Sequence, residues 1–166
     1  MAPTPASGAT GFNANVVLSK YPLPIARTYQ SKLQESQTDL HRLYGLMDVF
    51  EVSLKYCAII AIQEYVRLGV RSPAVDEEVA LHFRRPHLGN WNAFLREILR
   101  SFRGLRQQLF MPALVDLYFD PRGRPDRRQE GINRLINLRN RDAHGALPLT
   151  KAPHRSSRTT GRSWSR

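Results

Sequence analysis

Residues 26–68 constrain the fold more than any other part of the chain, because they carry a long helical pattern. Apolar residues recur there at spacings of three and four, the repeat of one helix face. They are Leu40, Leu43, Met47, Phe50, Leu54, Cys57, Ala61, Tyr65 and Leu68. A second apolar stripe runs along another side, through Leu46, Val49, Val52, Tyr56, Ile59 and Ile60. A helix that is apolar on two sides is expected at the centre of a helical bundle.

Shorter helical segments, separated by turn signals, follow this stretch. Thr38 or Asp39 could cap a break within it, and Gly69 is a natural stop. The later segments are predicted to start at Ser72-Pro73, Asn90, Pro112 and Asp126. No run shows the alternation that is typical of a strand. The sequence therefore predicts an all-α fold, a four- to five-helix up-and-down bundle.

Three regions are expected along the chain. Residues 1–20 are rich in Ala, Thr, Pro and Gly and are predicted to be a flexible lead-in, whereas residues 21–149 form the helical bundle. At its start, prolines 22 and 24 predict an extended segment over 21–25, because proline restricts the residue before it. Residues 150–166 consist largely of Ser, Thr, Arg and Gly and are predicted to be a disordered basic tail or a linker.

The formal net charge of +11 indicates an anionic partner such as RNA, DNA or an acidic protein. Five of the positive charges lie in residues 150–166, and without them the charge is +6. A basic RNA- or DNA-binding bundle without catalysis is therefore one interpretation. It predicts salt-sensitive binding that disappears when residues 150–166 are removed.

The single cysteine, Cys57, excludes an intrachain disulfide framework and a cysteine-rich zinc site. No apolar stretch approaches the roughly 20 residues that span a bilayer. The N-terminus also lacks the basic start and apolar core of a secretory signal. We therefore expect a cytoplasmic protein without a membrane partner.

The end of the last predicted helix, residues 139–144, is the one constellation that suggests chemistry. Arg139 continues the inward apolar stripe of that helix, where an unpaired guanidinium is costly to bury. Asn140 and His144 are four residues apart and share a face. Arginine binds phosphate bidentately and histidine exchanges protons near neutral pH, so the group predicts binding and cleavage of a phosphodiester. The alternative is a histidine favoured by the helix dipole, with Arg139 on an outer face.

Two acidic residues of the long helix are candidates to support this group. Asp48, Glu51 and Lys55 stand at spacings of three and four in an otherwise apolar surround. Glu51 or Asp48 could pair with Arg139 and hold it in place. The alternative is an intrahelical Glu51–Lys55 pair of little energetic consequence.

Other motifs of known chemistry are absent from the sequence. It has no glycine-rich phosphate loop, no His-Glu-x-x-His zinc motif and no Gly-x-Ser-x-Gly nucleophile elbow. His82 and His87 have no third metal ligand nearby in the sequence and are predicted to lie in a solvated loop. No metal and no cofactor is expected.

The pattern Arg139-Asn140-x-x-x-His144, closing the last helix of a small bundle, resembles the signature of the HEPN superfamily. In that signature a polar residue follows the arginine and a histidine stands four to six residues after it; Gly145 after the histidine is also usual. The agreement in architecture covers roughly residues 21–147. The resemblance implies a four- to five-helix bundle that usually dimerises.

In active members of that superfamily, the arginine and histidine of two protomers line a cleft and cut RNA without metal. The resemblance therefore implies a metal-independent endoribonuclease, active as a homodimer, in a defence or toxin system. His144 would be the general acid or base, Arg139 would stabilise phosphoryl charge, and Asn140 would orient the histidine or the phosphate.

Other members are inactive binding or assembly modules, joined to larger proteins or paired with a nucleotidyltransferase-like antitoxin. The alternative function is accordingly a non-catalytic helical interaction module of a larger multidomain or defence assembly. That alternative predicts an apolar surface patch distant from His144.

Overall fold

The computed structural model describes residues 13–143, which form an all-α protein. The helices are α1 (Ala14–Lys20), α2 (Leu23–Tyr29), α3 (Asp39–Arg67), α4 (Pro73–His82), α5 (Leu88–Ser101), α6 (Ala113–Tyr118) and α7 (Arg127–Ala143). A π-helical turn (Gln30–Gln34) follows α2, and a 3-10 helix (Arg103–Gln108) follows α5. The described residues thus contain seven α-helices, more than the four to five expected, because α1, α2 and α6 are short helices of six or seven residues. The predicted all-α class is confirmed.

Local signals set the ends of α3 and the start of α7 as predicted. The backbone N–H of His41 donates to the hydroxyl of Thr38 at 3.2 Å, so a helix break occurs at Thr38. Gly69 follows the C-terminus of α3 with φ at +64°, a conformation that favours glycine. At α7, the backbone N–H of Arg128 donates to Asp126 Oδ1 at 2.9 Å.

The start of α5 differs from the prediction by three residues. The helix begins at Leu88, and its N-cap is His87 rather than Asn90. Asn90 is the third helical residue, and its Oδ1 accepts from the backbone N–H of His87 at 3.1 Å. Asn90 therefore caps the helix from inside its first turn. The residue type indicated a helix start correctly, but the N-cap position lies three residues earlier.

The N-terminal segment is more ordered than the sequence predicted. Residues 14–20, expected in the flexible lead-in, form α1, where Val17 is buried. Residues 23–25, expected to be extended, begin α2 with Pro22 as the N-cap. Proline is tolerated in the first helical turn because the N–H groups there have no intrahelical partner. Ile25 and Ala26 of α2 are buried, so tertiary packing selects the helix.

The main core lies where α3 packs against α5, with α4, α6 and α7 adding buried residues. Members from α3 are Leu54, Ala58, Ala61 and Tyr65. Members from α5 are Leu88, Leu95, Ile98 and Leu99. None of the helices in residues 13–143 combines the length and the apolar character needed to cross a bilayer.

α3 is central, as expected, since it packs against α2, the π turn and α5, but its second apolar stripe is only partly enclosed. Near its start, α3 packs against the π turn, where Gly45 lies so close to the Lys32 carbonyl that a Cβ atom would collide. Further along, Ile59 of the second stripe keeps 49% of its surface exposed, and Val66 keeps 73%. The described part of the chain has too few helices to cover both sides of α3 along its length.

Candidate functional site

The last helix, α7, is held by an apolar contact and by a chain of polar side chains that runs from the core to the surface. Ile136 belongs to the main core with 6% of its surface exposed. The side-chain amide of Asn92 donates to Asn133 Oδ1 at 3.0 Å, and the hydroxyl of Tyr118 donates to Asn92 Oδ1 at 2.8 Å. Burial raises the pKa of Tyr118, so it remains a protonated donor. These contacts fix the rotation of α7 about its axis.

Arg139 follows Ile136 by one helical turn and faces α3. Its Nε donates to Glu51 Oε2 at 2.9 Å. The other oxygen of Glu51 accepts from Lys55 Nζ at 2.7 Å, so the carboxylate joins two cations. The side chain of Glu51 is 20% exposed and that of Arg139 is 37% exposed. The predicted interhelical pair and the alternative intrahelical pair therefore occur together.

The carboxylate of Glu51 is stabilised in its charged form. Burial by itself would raise the pKa of Glu51, because a charged group loses hydration. The hydrogen bonds and positive charges of Lys55 and Arg139 outweigh that effect, and the pKa lies below its usual value. At neutral pH the group is thus a carboxylate between two cations.

The contact with Glu51 leaves most of the Arg139 guanidinium available. A guanidinium has five N–H donors, and Nε supplies only one of them. The four N–H groups on the two Nη atoms suit a phosphate, which arginine binds in a forked geometry. Asn140, the next residue, is partly buried. His144, the predicted acid or base, lies outside the described residues.

Asp48, the second acidic candidate, belongs to a different place. It lines a polar cleft of about 250 Å³ between the π turn and α3, with Lys32, Glu35, His41 and Tyr44 among the other walls. Of the two acids considered for Arg139, the structure brings Glu51 to it. The two carboxylates are three residues apart on α3, which turns them away from each other by about 60°.

His82 and His87, predicted to lie in a solvated loop, are both exposed, but His82 is the last residue of α4. His87 is the N-cap of α5, and His82 Nε2 lies 3.9 Å from Glu78 Oε1 on α4. Between residues 13 and 143, no group of three or more His, Cys, Asp or Glu side chains is arranged to hold a metal ion. Burial raises the pKa of the Cys57 thiol, which disfavours the reactive thiolate.

The sequence interpretation missed a buried carboxylate, Glu64. Its side chain accepts two hydrogen bonds from Arg67, at 2.6 and 2.9 Å, and one from the backbone N–H of Phe110, at 2.7 Å. Glu64 follows Ala61 by three residues and so continues the enclosed stripe of α3. The argument applied to Arg139, that a charge on an inward face needs a partner, would have identified it.

Beside Glu64 lies an apolar groove of about 810 Å³, whose position in the fold the sequence did not indicate. Its wall includes Tyr56, Ile59, Ile60, Gln63, Val66 and Phe110. Phe110 is 77% exposed although the Glu64 carboxylate fixes its backbone. The groove and the Arg139–Glu51 pair are two surface features of the described residues that core packing does not explain.

Comparison of the chain with models of protein families, with curated proteins and with solved structures found no match. The functional interpretation of the groove and of the Arg139–Glu51 pair therefore depends on the chemistry of the residues that form them.

Proposed function

We propose that this protein is a metal-independent endoribonuclease of HEPN type, active as a homodimer in a defence or toxin system. The observation that carries the proposal is the Arg139–Glu51 pair. A partly exposed guanidinium is held near the end of the last helix by Glu51, which accepts a hydrogen bond from its Nε. The pattern Arg139-Asn140-x-x-x-His144 supplies a histidine within about one helical turn of it.

The proposed reaction uses the ribose of the RNA as its nucleophile. The 2′-OH attacks the adjacent phosphorus, the bond to the 5′ oxygen breaks, and a 2′,3′-cyclic phosphate and a 5′-hydroxyl result. His144 takes the proton from the 2′-OH in one protomer, and His144 of the second copy gives a proton to the leaving 5′ oxygen. Arg139 stabilises charge on the phosphoryl oxygens, and Asn140 orients the histidine or the phosphate.

The test is cleavage of a mixed RNA pool in EDTA by the purified full-length protein. The wild type is expected to cut, and His144→Ala is expected to lose about 100-fold or more of that rate, the usual share of a general acid or base. His82→Ala, at an exposed histidine of α4, is the matched control and should cut normally. Equal cleavage by wild type and His144→Ala contradicts the proposal.

A second candidate function is a non-catalytic helical interaction module of a larger assembly. The exposed apolar groove beside Phe110 favours it, because a monomeric protein rarely leaves such a patch open without use. Absence of cleavage by a folded, dimeric wild type would favour this candidate over the ribonuclease.

A further inference from the structure

We propose that an arginine-rich surface, which starts at the loop before α7 and follows that helix, binds the phosphate backbone of RNA away from the cleavage site. We call this surface the arginine track, made of Arg103, Arg122, Arg127, Arg134 and Arg141. The choice of RNA as the polyanion rests on the proposed function, whereas the position of the surface rests on charge and geometry. The inference makes the substrate a polynucleotide and not a short oligonucleotide.

Most of the excess positive charge of the bundle lies in one part of the chain. Residues 96–128 contain eight arginines and four acidic residues, so they carry four of the six net charges of residues 1–149. Each acidic residue there forms an ion pair with an arginine outside the track; these acids are Glu97, Asp116, Asp120 and Asp126. Arg103, Arg122 and Arg127 are exposed and form no ion pair with a described residue, so they are available to an anion.

The loop between α6 and α7 is fixed, and it meets the 3-10 helix. At its base the backbone N–H of Asp126 donates to the carbonyl of Tyr118 at 2.9 Å. Gly123 in the loop has φ at +78°, and a Cβ atom at this position would collide with the Arg103 guanidinium. The cation of the 3-10 helix therefore lies directly against the loop position that follows Arg122. A surface that is already in place loses little entropy when it binds.

The outer face of α7 continues the positive surface toward the candidate site. Arg127, Arg134 and Arg141 are seven residues apart, so successive positions differ by about 20° around the helix axis and about 10 Å along it. All three are exposed. Arg134 lies 3.8 Å from Glu130, but these side chains are 83% and 67% exposed, so solvent screens the pair. An RNA strand can follow this face to the end of the helix that bears Arg139.

The surroundings of the track suit phosphates better than bases. A cleft of about 520 Å³ beside Arg103 has two carboxylates in its wall, Asp116 and Asp120, and each is paired with an arginine. Phe119 in the same wall is only 4% exposed, and the Arg100 guanidinium covers its ring at 5.8 Å, so it offers no face for base stacking. Phosphate contacts carry no sequence information, so we expect binding that depends on RNA length and salt but not on base sequence.

The first test is binding of a labelled uridine oligonucleotide of about 20 residues to full-length His144→Ala protein, measured by fluorescence anisotropy from about 50 to 300 mM salt. The active-site change keeps the RNA intact. Adding Arg103→Gln, Arg122→Gln and Arg127→Gln together should weaken binding about 30-fold or more at low salt. The slope of log K against log salt concentration should become smaller by about two, because three phosphate contacts are lost.

A matched control removes the same charge elsewhere. Arg42→Gln, Arg84→Gln and Arg85→Gln change three exposed arginines outside the track and should weaken binding no more than about threefold. Lysine at the three track positions keeps the charge and should retain most of the affinity, which separates loss of charge from loss of folding. An equal loss in the track and control variants, or a wild-type surface that does not bind the RNA, would overturn the proposal.

The second test is cleavage by the protein with His144 intact. Arg127 and Arg139 are 12 residues apart on α7, about 18 Å, so a dinucleotide at Arg139 cannot reach the start of the track. The three glutamine changes should raise KM for the long RNA about tenfold or more with little change in kcat, and should leave dinucleotide cleavage unaltered. Equal losses on both substrates would contradict the track. Absence of all cleavage would refute the ribonuclease proposal, while the binding measurement would still decide whether the track exists.

Discussion

The pair between Arg139 and Glu51 gives the sharpest prediction about the candidate site. If Glu51 positions Arg139, the two side chains must be coupled energetically and not merely close. A double-mutant cycle with Glu51→Gln, Arg139→Gln and the double variant measures that coupling as a difference in the free energy of unfolding.

The structure sets the expected size of the coupling. Exposed ion pairs contribute about 0.2–1 kcal/mol, and removing one partner of a fully buried pair costs about 3–5 kcal/mol. Glu51 is 20% exposed and Arg139 is 37% exposed, so solvent screens the arginine substantially. We therefore expect a coupling of about 1 kcal/mol, which corresponds to about 3 °C in Tm for a chain of this size.

Urea unfolding followed by circular dichroism is the assay, and the Glu51–Lys55 pair is the internal control. That pair is intrahelical and four residues apart, so its coupling should be about 0.4 kcal/mol. A Glu51–Arg139 coupling no larger than the control value would refute the idea that Glu51 positions Arg139.

Charge reversal provides an independent check of the coupling between Glu51 and Arg139. Glu51→Arg with Arg139→Glu restores the interhelical attraction but leaves Lys55 beside a new cation. Adding Lys55→Glu removes that repulsion. The triple variant should therefore be more stable than the variant with Glu51→Arg and Lys55→Glu alone, in which two cations meet at positions 51 and 139, whereas positions that do not interact predict no such gain.

Three further predictions concern groups that hold the fold. Glu64→Gln should reduce stability by about 1–2 kcal/mol at neutral pH. Burial raises the pKa of Glu64, but the hydrogen bonds from Phe110 and Arg67 lower it by more, so the folded pKa lies below the unfolded value near 4.5. The stabilisation by the Glu64 carboxylate is therefore present above about pH 4.5 and is lost as pH falls through the folded pKa. Wild type and variant should thus converge in acid, and a constant difference in urea unfolding across pH 2–7 would contradict this. Tyr118→Phe leaves buried Asn92 without its 2.8 Å donor and should cost about 1–2 kcal/mol, which urea unfolding measures; no loss would contradict the role of the chain of polar side chains. Gly45→Ala introduces a Cβ against the Lys32 backbone and should cost about 1–3 kcal/mol, so an unchanged Tm would argue against that close approach.

The sequence by itself determined the all-α class and most helix ends. The three- and four-residue spacings of residues 26–68 predict a helix whatever it packs against, because the pattern is local. Thr38, Gly69 and Asp126 act within one turn of their own position, so their roles could be read from neighbouring residues. The same locality explains the errors over residues 14–25, where the burial of Val17 and Ile25 favours helix over the flexible lead-in expected for 14–20 and the extended form expected for 21–25.

Only the tertiary structure decided which side chains meet. The sequence offered both Asp48 and Glu51 as partners of Arg139. Which of them pairs depends on how α7 is rotated about its axis and placed along α3. The burial of Ile136 and the Asn92–Asn133 hydrogen bond fix that placement. The contact of Glu64 with Phe110 joins residues 46 positions apart. The second apolar stripe of α3 shows most clearly what sequence alone cannot predict. Its pattern favours burial of the stripe against another helix. Whether a helix of the same chain packs there depends on how many helices remain to do so, which is a property of the whole fold and not of any local segment.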